Sequence, residues 1–171
     1  MIMDLNVMKS FIISSGGYLH HVGMLVEDTA KAIEELKRVP GFGEWTTNES
    51  TWDNHEMIVG RENTIICSTS RIMDSVLLEV IEPVKGKCDG THFKNYLEQY
   101  GEGLHHLCYG FPHYADFEKV FKYFENTGYK DMIHGRKLSE DGNITDEYCY
   151  MEVLESELYI ELSWTRYKWG Y

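Results

Sequence analysis

The sequence lacks any long hydrophobic run, and no stretch approaches the roughly 18–20 apolar residues that span a bilayer. A short apolar patch, Phe11 to Ile13, lies near the start. It is too short and too weakly flanked by positive charge to predict a signal peptide. We therefore interpret residues 1–17 as an N-terminal extension that packs on the body of the protein or on a partner subunit.

Positive charge is also scarce, because 16 Lys and Arg stand against 28 Asp and Glu, giving a formal net charge of −12. An acidic chain repels the phosphates of nucleic acids and of anionic membranes. We expect neither as a partner, and a small-molecule substrate instead. An acidic substrate would need a local patch of positive charge.

The four cysteines form no CxxC pair. Cys67, Cys108 and Cys149 lie in apolar, strand-like runs, where a free cysteine behaves as a small hydrophobic residue. We therefore expect reduced thiols and a cytoplasmic protein.

Two parts of the chain repeat each other. Residues 19–23 (LHHVG) and 104–108 (LHHLC) both read as strands that carry a pair of histidines. A helical pattern follows each strand. The first runs from an N-cap at Asp28 to Pro40-Gly41, and the second shows apolar spacing over residues 117–124 with a stop at Gly128.

Each half ends in an apolar strand with one carboxylate at its centre, Glu79 in VLLEVI and Glu161 in LYIEL. His21 precedes Glu79 by 58 positions, and His106 precedes Glu161 by 55. The halves therefore match in element order and nearly in length.

The repeat predicts an α+β fold of two units, each with the order strand, helix, strand, strand, strand. Further strands are predicted at residues 42–47, 63–68, 129–134 and 147–153, with a hairpin turn at 141–143 and a short helix at 93–100. We expect one compact domain that comprises the extension 1–17, a first module 18–83, a connector 84–103, a second module 104–164 and a tail 165–171.

An ionised carboxylate in the middle of an apolar strand is costly unless it is paired or bound to a metal. If the two units pack into one curved sheet, His21, Glu79, His106 and Glu161 can converge. Imidazole and carboxylate ligands suit zinc, nickel or cobalt, and also manganese or iron. With a divalent ion these four would form a neutral group, and water or substrate oxygens could complete the coordination.

Taken singly, each residue has a simpler interpretation. A histidine in a strand is usually structural, and we assign that role to His20 and His105, which strand alternation directs to the face opposite the ligands. Glu79 or Glu161 alone could be an edge-strand carboxylate that faces water. The four repeat-related residues together favour a metal site.

Four segments resemble the vicinal oxygen chelate superfamily, which contains glyoxalases, bleomycin resistance proteins and dioxygenases. They are LHHVG at 19–23, LEVIEP at 78–83, GEGLHHL at 101–107 and YIEL at 159–162. The similarity extends over roughly residues 18–164 and is greatest to the methylmalonyl-CoA epimerase and glyoxalase I-like branch.

The resemblance implies two paired βαβββ modules that form a cup-like mixed sheet around the metal, with the helices outside and a homodimer as the assembly. It also implies that the second histidine of each pair is a ligand, so that His21, Glu79, His106 and Glu161 hold the ion. The ion would chelate two substrate oxygens and stabilise an enolate, while Glu161, or Glu79 beside it, moves a proton. Glu161 as a ligand alone stays an open alternative.

Some segments depart from this family pattern. Residues 63–68 lack the second carboxylate that such epimerases carry on an earlier strand, although His55, Glu56 and Glu62 lie nearby. The stretch 155–157 lacks a Pro- and Gly-containing loop, and the polar segment 46–57 is interpreted as a flap over the site.

The leading hypothesis is a metal-dependent isomerase or lyase that acts on an acyl-thioester, α-keto or hemithioacetal substrate. Substrate phosphates would need basic residues, but for each candidate the favoured interpretation is an ordinary surface charge. The candidates are Lys85, Lys87, Lys130, Arg136 and Lys137. The alternatives are an extradiol-type dioxygenase with ferrous iron, which Glu79 disfavours, and a non-catalytic, resistance-type binding protein.

Overall fold

The computed structural model describes residues 5–52, 55–72, 76–152 and 158–167. Within these ranges the chain forms four helices and nine strands. The helices are α1 (Leu5–Ser14), α2 (Thr29–Leu36), α3 (His92–Tyr100) and α4 (Tyr114–Asn126). The strands are β1 (Tyr18–Leu25), β2 (Thr46–Thr51), β3 (His55–Val59), β4 (Thr64–Ile72), β5 (Val76–Pro83), β6 (Gly103–Phe111), β7 (Asp131–Leu138), β8 (Ile144–Glu152) and β9 (Tyr159–Thr165).

All nine strands belong to one mixed sheet that curls into a half-barrel, with the order β2-β4-β5-β1-β6-β9-β8-β7-β3. The first strands of the two halves, β1 and β6, pair antiparallel at its centre. Each also pairs in parallel with the last strand of its own half, β5 or β9. The predicted α+β fold with two repeated halves is confirmed.

The first half contains one strand more than the predicted unit. β3 follows β2 in the chain but leaves its own half and pairs antiparallel with β7 at the far edge of the sheet. Arg136 donates two hydrogen bonds to the Glu56 carboxylate, at 2.8 and 3.1 Å, and so ties β3 to β7. The segment expected to be a flap is therefore largely β2 and β3. β2 is almost wholly exposed, so it carries no apolar alternation that could have revealed it.

The other elements lie within a few residues of their predicted positions. Asp28 caps α2 by accepting a hydrogen bond from the N–H of Lys31 at 2.9 Å, although α2 ends before the predicted Pro40. The predicted strand 42–47 begins only at Thr46, and residue 153 of the strand 147–153 lies outside the described residues. α4 stops at the predicted glycine, Gly128, which has a φ of 88°.

Three apolar clusters hold the sheet, and the two larger ones involve α1, α3 and α4. On its outer face, α4 and α1 bury side chains that include Phe117, Phe124, Met8 and Ile12. Inside the curl, α3 contributes Phe93, Tyr96 and Leu97, which pack against residues of β8 and β9. Helix α3 thus forms one end of the half-barrel's interior. Within the described parts of the chain, no helix has the length and apolar character that crossing a membrane requires.

Candidate metal centre

The four predicted ligands meet inside the curled sheet. Nε2 of His21 lies 3.0 Å from Nε2 of His106. Oε2 of Glu79 and Oε2 of Glu161 lie 3.1–3.4 Å from these two nitrogens. Such separations suit atoms that each lie about 2.0–2.2 Å from one shared ion. The donor set therefore fits a divalent cation, as the sequence predicts.

A glycine makes room for one of the ligands. Gly23 on β1 lies directly opposite His106 on β6. A Cβ atom at Gly23 would collide with the imidazole ring of His106. The repeat-related position in the second half is Cys108, which lies opposite His21. The two halves therefore differ at this point, and only the first half needs a residue without a side chain.

His20 and His105 do not point to the opposite face, and our prediction of their orientation is wrong. Nδ1 of His20 lies 2.7 Å from Nδ1 of His21, and the same atoms of His105 and His106 are 2.9 Å apart. The pairing of β1 with β6 shifts register at each pair, skipping His20 and His105. Such a β-bulge breaks the alternation of faces, so both rings of a pair turn inward.

The charges in this group favour a bound cation. Burial alone would lower the pKa of His21, but Cys108, Glu79 and Glu161 outweigh burial and raise it well above its ordinary value. Burial alone would raise the pKa of Glu79, but His21 and His106 hold it well below its usual range. Two buried carboxylates thus require positive charge beside them, which a divalent ion can supply.

The two carboxylates have different surroundings. Cys67 donates a hydrogen bond from its thiol to Oε1 of Glu79 at 3.3 Å, so both oxygens of Glu79 are engaged. Among the described residues, the polar contacts of Glu161 are made through Oε2, with His21 and His106. Because its Oε1 is not held, the Glu161 carboxylate can shift more easily than that of Glu79.

A cavity of about 450 Å³ opens beside this group and is lined by His21, Glu79 and Glu161, whereas His106 is fully buried and does not line it. Aromatic side chains also line the cavity, namely those of Trp52, His55, Tyr148 and Trp164. Nδ1 of His55 lies 3.0 Å from the Tyr148 hydroxyl, and the Trp52 ring stacks on His55 with 6.1 Å between centroids. Burial, with the charge of Glu161, raises the pKa of Tyr148, so this phenol stays protonated.

Sequence reasoning missed the pair of His55 and Tyr148. From the sequence alone, His55 could not be aligned with the family pattern, and Tyr148 is one of 12 tyrosines. Only the pairing of β3 with β7, the neighbour of β8, brings the two side chains together. No local pattern encodes that contact.

Of the basic residues considered for substrate phosphates, Lys137 lines the cavity, together with Asp146. Arg136 is paired with Glu56, and Lys87 lies 3.1 Å from Glu49 at the surface. Lys85 and Lys130 do not line the cavity. The stretch 155–157, singled out for its missing loop, lies outside the described residues.

Fold and donor set together define a class of protein. The sequence model of the Glyoxalase/Bleomycin resistance protein/Dioxygenase superfamily matches residues 20–145, most of the chain. The chain belongs to this superfamily. No curated protein matches it significantly in sequence.

Solved structures with the same fold include several methylmalonyl-CoA epimerases. A variant of the Streptomyces coelicolor enzyme, in complex with 2-nitronate-propionyl-CoA, is 15% identical, covers 87% of this chain and 97% of its own, and superposes with a TM-score of 0.60. The Mycobacterium tuberculosis enzyme is 15% identical, covers 88% of this chain and 89% of its own, and has a TM-score of 0.60. An epimerase in complex with methylmalonyl-CoA and NH4+ is 16% identical over 88% of this chain and 95% of its own, also with a TM-score of 0.60. At these identities the likeness establishes the fold.

Proposed function

We propose that the protein is a metal-dependent isomerase or lyase of the glyoxalase and methylmalonyl-CoA epimerase type. It would move a proton on the carbon next to the carbonyl of a small acyl-thioester, α-keto or hemithioacetal substrate. The observation that carries this proposal is the meeting of two imidazoles and two carboxylates at 3.0–3.4 Å, beside a cavity that three of these residues line.

His21, Glu79, His106 and Glu161 would hold one divalent ion, with zinc, nickel or cobalt the best match to this donor set and manganese or iron also suitable. The bound ion would supply Lewis-acid stabilisation of negative charge on the substrate oxygen. Glu161 is the proposed base, since its Oε1 accepts no hydrogen bond from the described residues. Glu79 is held by Cys67 and serves mainly as a ligand.

The lining of the cavity offers a second group for proton transfer. The Tyr148 hydroxyl lies 3.0 Å from Nδ1 of His55, so these two side chains form a hydrogen-bonded pair that can exchange a proton with a substrate. Glu161 and Tyr148 both line the cavity and would act on one substrate. Two such groups suit the transfer of a proton from one face of a carbon to the other, which supports an isomerase.

The donor set also bears on the alternatives. An extradiol dioxygenase uses two histidines and one carboxylate and leaves positions for oxygen and substrate. Here a fourth donor, Glu79, lies within 3.4 Å of both histidines. A resistance-type binding protein needs no such group. We therefore rank both functions below proton transfer.

Elemental analysis of the purified protein tests the metal site. We expect about one divalent ion per chain in the parent and a clear loss in Glu161→Ala and His106→Ala, because each variant removes a ligand. His134→Gln is a matched control, since His134 is also buried and paired with a carboxylate, but outside the site. Metal content that both site variants retain would overturn the assignment.

Proton exchange in deuterated water tests the reaction. With candidate thioesters, ketoacids and hemithioacetals, the parent should exchange the α-proton of one substrate class. Per bound metal ion, Glu161→Gln should lower the rate by about 10²–10⁴-fold, the range of general acid–base catalysis. Tyr148→Phe should retain exchange but slow the conversion to product. A metal-loaded parent that exchanges no substrate across the panel would refute proton transfer.

We further propose a cytoplasmic homodimer. The four cysteines are unpaired, which suits a reducing compartment. The outer side of α1 exposes Val7 and Ile13, which a second subunit could cover. Light scattering of the purified protein measures the assembly directly, and a monomer at all concentrations would contradict the dimer.

A further inference from the structure

A row of hydrogen-bonded imidazoles leads away from one proposed ligand. Nδ1 of His106 lies 2.9 Å from Nδ1 of His105, and Nε2 of His105 lies 3.0 Å from Nε2 of His92. His105 and His106 are fully buried, while His92 is half-buried on the first turn of α3. The row therefore connects the metal centre to the helix between the two halves.

Once the protonated nitrogen of His106 is fixed, the hydrogen-bond distances determine which nitrogen carries the proton in each of the other two rings. A histidine that binds a metal through Nε2 carries its proton on Nδ1. His106 must then donate from Nδ1–H to the bare Nδ1 of His105. His105 in turn holds its proton on Nε2 and donates it to the bare Nε2 of His92. Each neutral ring gives one hydrogen bond, so the row has a single consistent direction.

The surroundings of His105 prevent it from turning away. Its ring stacks on Tyr159 with 4.8 Å between centroids and meets the edges of Phe93 and Tyr96 at 5.3 and 4.7 Å. The bulge that displaces His105 from the regular ladder places its ring among these aromatic side chains. The acceptor for His106 is therefore held in place by packing.

We propose that His105 and His92 are positioning residues for the metal ligand His106, fixing its ring orientation and its Nδ1–H tautomer. This inference rests on the proposed metal site and adds the residues that prepare it. Ligand histidines usually donate their second N–H to a carboxylate, a carbonyl or water, and loss of that partner lowers metal affinity about 10–100-fold. Here two neutral imidazoles in series take that place.

Paired variants separate the hydrogen bond from the packing. His105→Phe keeps an aromatic ring but removes the acceptor, whereas His105→Asn restores an acceptor at the position of Nδ1. Likewise His92→Leu removes the acceptor for His105, and His92→Gln places an oxygen near the position of Nε2. Zinc and cobalt dissociation constants, measured by competition with a chelator, are the first measurement.

We expect zinc and cobalt to bind about 10–100-fold more weakly to His105→Phe than to the parent, with a smaller loss in His92→Leu. The Asn and Gln variants should bind within about threefold of the parent. The second measurement is the imidazole nitrogen NMR spectrum of the zinc-loaded parent. It should show His106 protonated on Nδ1 and His105 on Nε2. Thermal unfolding without metal shows whether each variant folds like the parent.

The outcomes also separate this inference from the metal site itself. A parent that binds zinc, with unchanged affinity in His105→Phe and His92→Leu, would overturn the positioning role and leave the proposed function intact. A His105 protonated on Nδ1 would do the same. A parent that binds neither ion would overturn both proposals.

Discussion

At the scale of single residues, the metal centre depends on an absent side chain as much as on the ligands. Gly23 has an ordinary backbone conformation, so its importance lies in space and not in φ. The imidazole of His106 occupies the volume above Gly23, where any Cβ would stand. The ring can reach the other three ligands only across this gap.

Gly23→Ala should therefore displace His106 and weaken zinc binding by at least about tenfold, as loss of a supporting contact around a ligand does. Isothermal calorimetry on the folded variant measures this. Gly43→Ala is the matched control, because the nearest atoms to a Cβ there lie at 3.8–4.0 Å, an ordinary contact distance. Equal zinc affinity in the two variants would contradict the role of Gly23.

The candidate ligands could be predicted from the sequence because the repeat places them at equivalent positions in matching strands. The orientation of His20 and His105 could not. The alternation rule assumes a regular ladder, and the two bulges arise from the pairing of β1 with β6, which is a contact between the halves. Sequence patterns within one half hold no information about that register.

At the scale of elements, a partly charged layer of side chains links α4 to β7 and β8. His134 lies 2.9 Å from Glu147 and 3.5 Å from Asp131, and its ring is 4.8 Å from that of Phe121 on α4. Tyr114, the first residue of α4, donates its hydroxyl hydrogen to Glu147 at 2.9 Å. This layer joins the helix to the sheet away from the metal centre.

The same layer predicts a pH dependence of stability. Burial alone would lower the pKa of His134, but Asp131 and Glu147 outweigh it and raise the pKa to about 9. Because the folded pKa exceeds the unfolded value of about 6.5, the stabilisation is complete below pH 6.5 and is lost as the pH rises towards 9.

Urea unfolding of the metal-free protein between pH 6 and 9.5 measures this effect. The difference in unfolding free energy between the parent and His134→Gln should shrink as the pH rises, by at most about 1.4 kcal/mol per pH unit. The other titrating groups are the same in both proteins, so their contributions cancel in this difference. A difference that stays constant across this range would show that folding does not raise the pKa of His134.

At this scale, helix α4 could be predicted from the sequence, whereas strand β3 could not. The apolar residues of α4 recur at helical spacing and are buried on one side, so the periodicity alone predicts the helix. β3 alternates between half-buried and exposed positions over only five residues. Its partner β7 lies in the other half, and such a distant pairing leaves no local signal.

At the scale of the whole molecule, duplication explains the architecture and the additional strand explains the cavity wall. Each half contributes one histidine from its first strand and one carboxylate from its last, so neither half holds the donor set alone. His55 and Trp52 border the cavity only because the chain passes from one edge of the sheet to the other between β2 and β3.

That passage has a consequence for how the molecule assembles. Glu56 and Arg136 are separated by 80 positions in the chain, whereas the strand pairings within each half join residues at most 56 positions apart. Bringing distant segments together carries a larger entropic cost, which delays their pairing. We expect the β3–β7 seam to form after both halves and to open before either. Hydrogen exchange should then be faster at this seam than within either half, so that the cavity gains its outer wall only after the halves have folded.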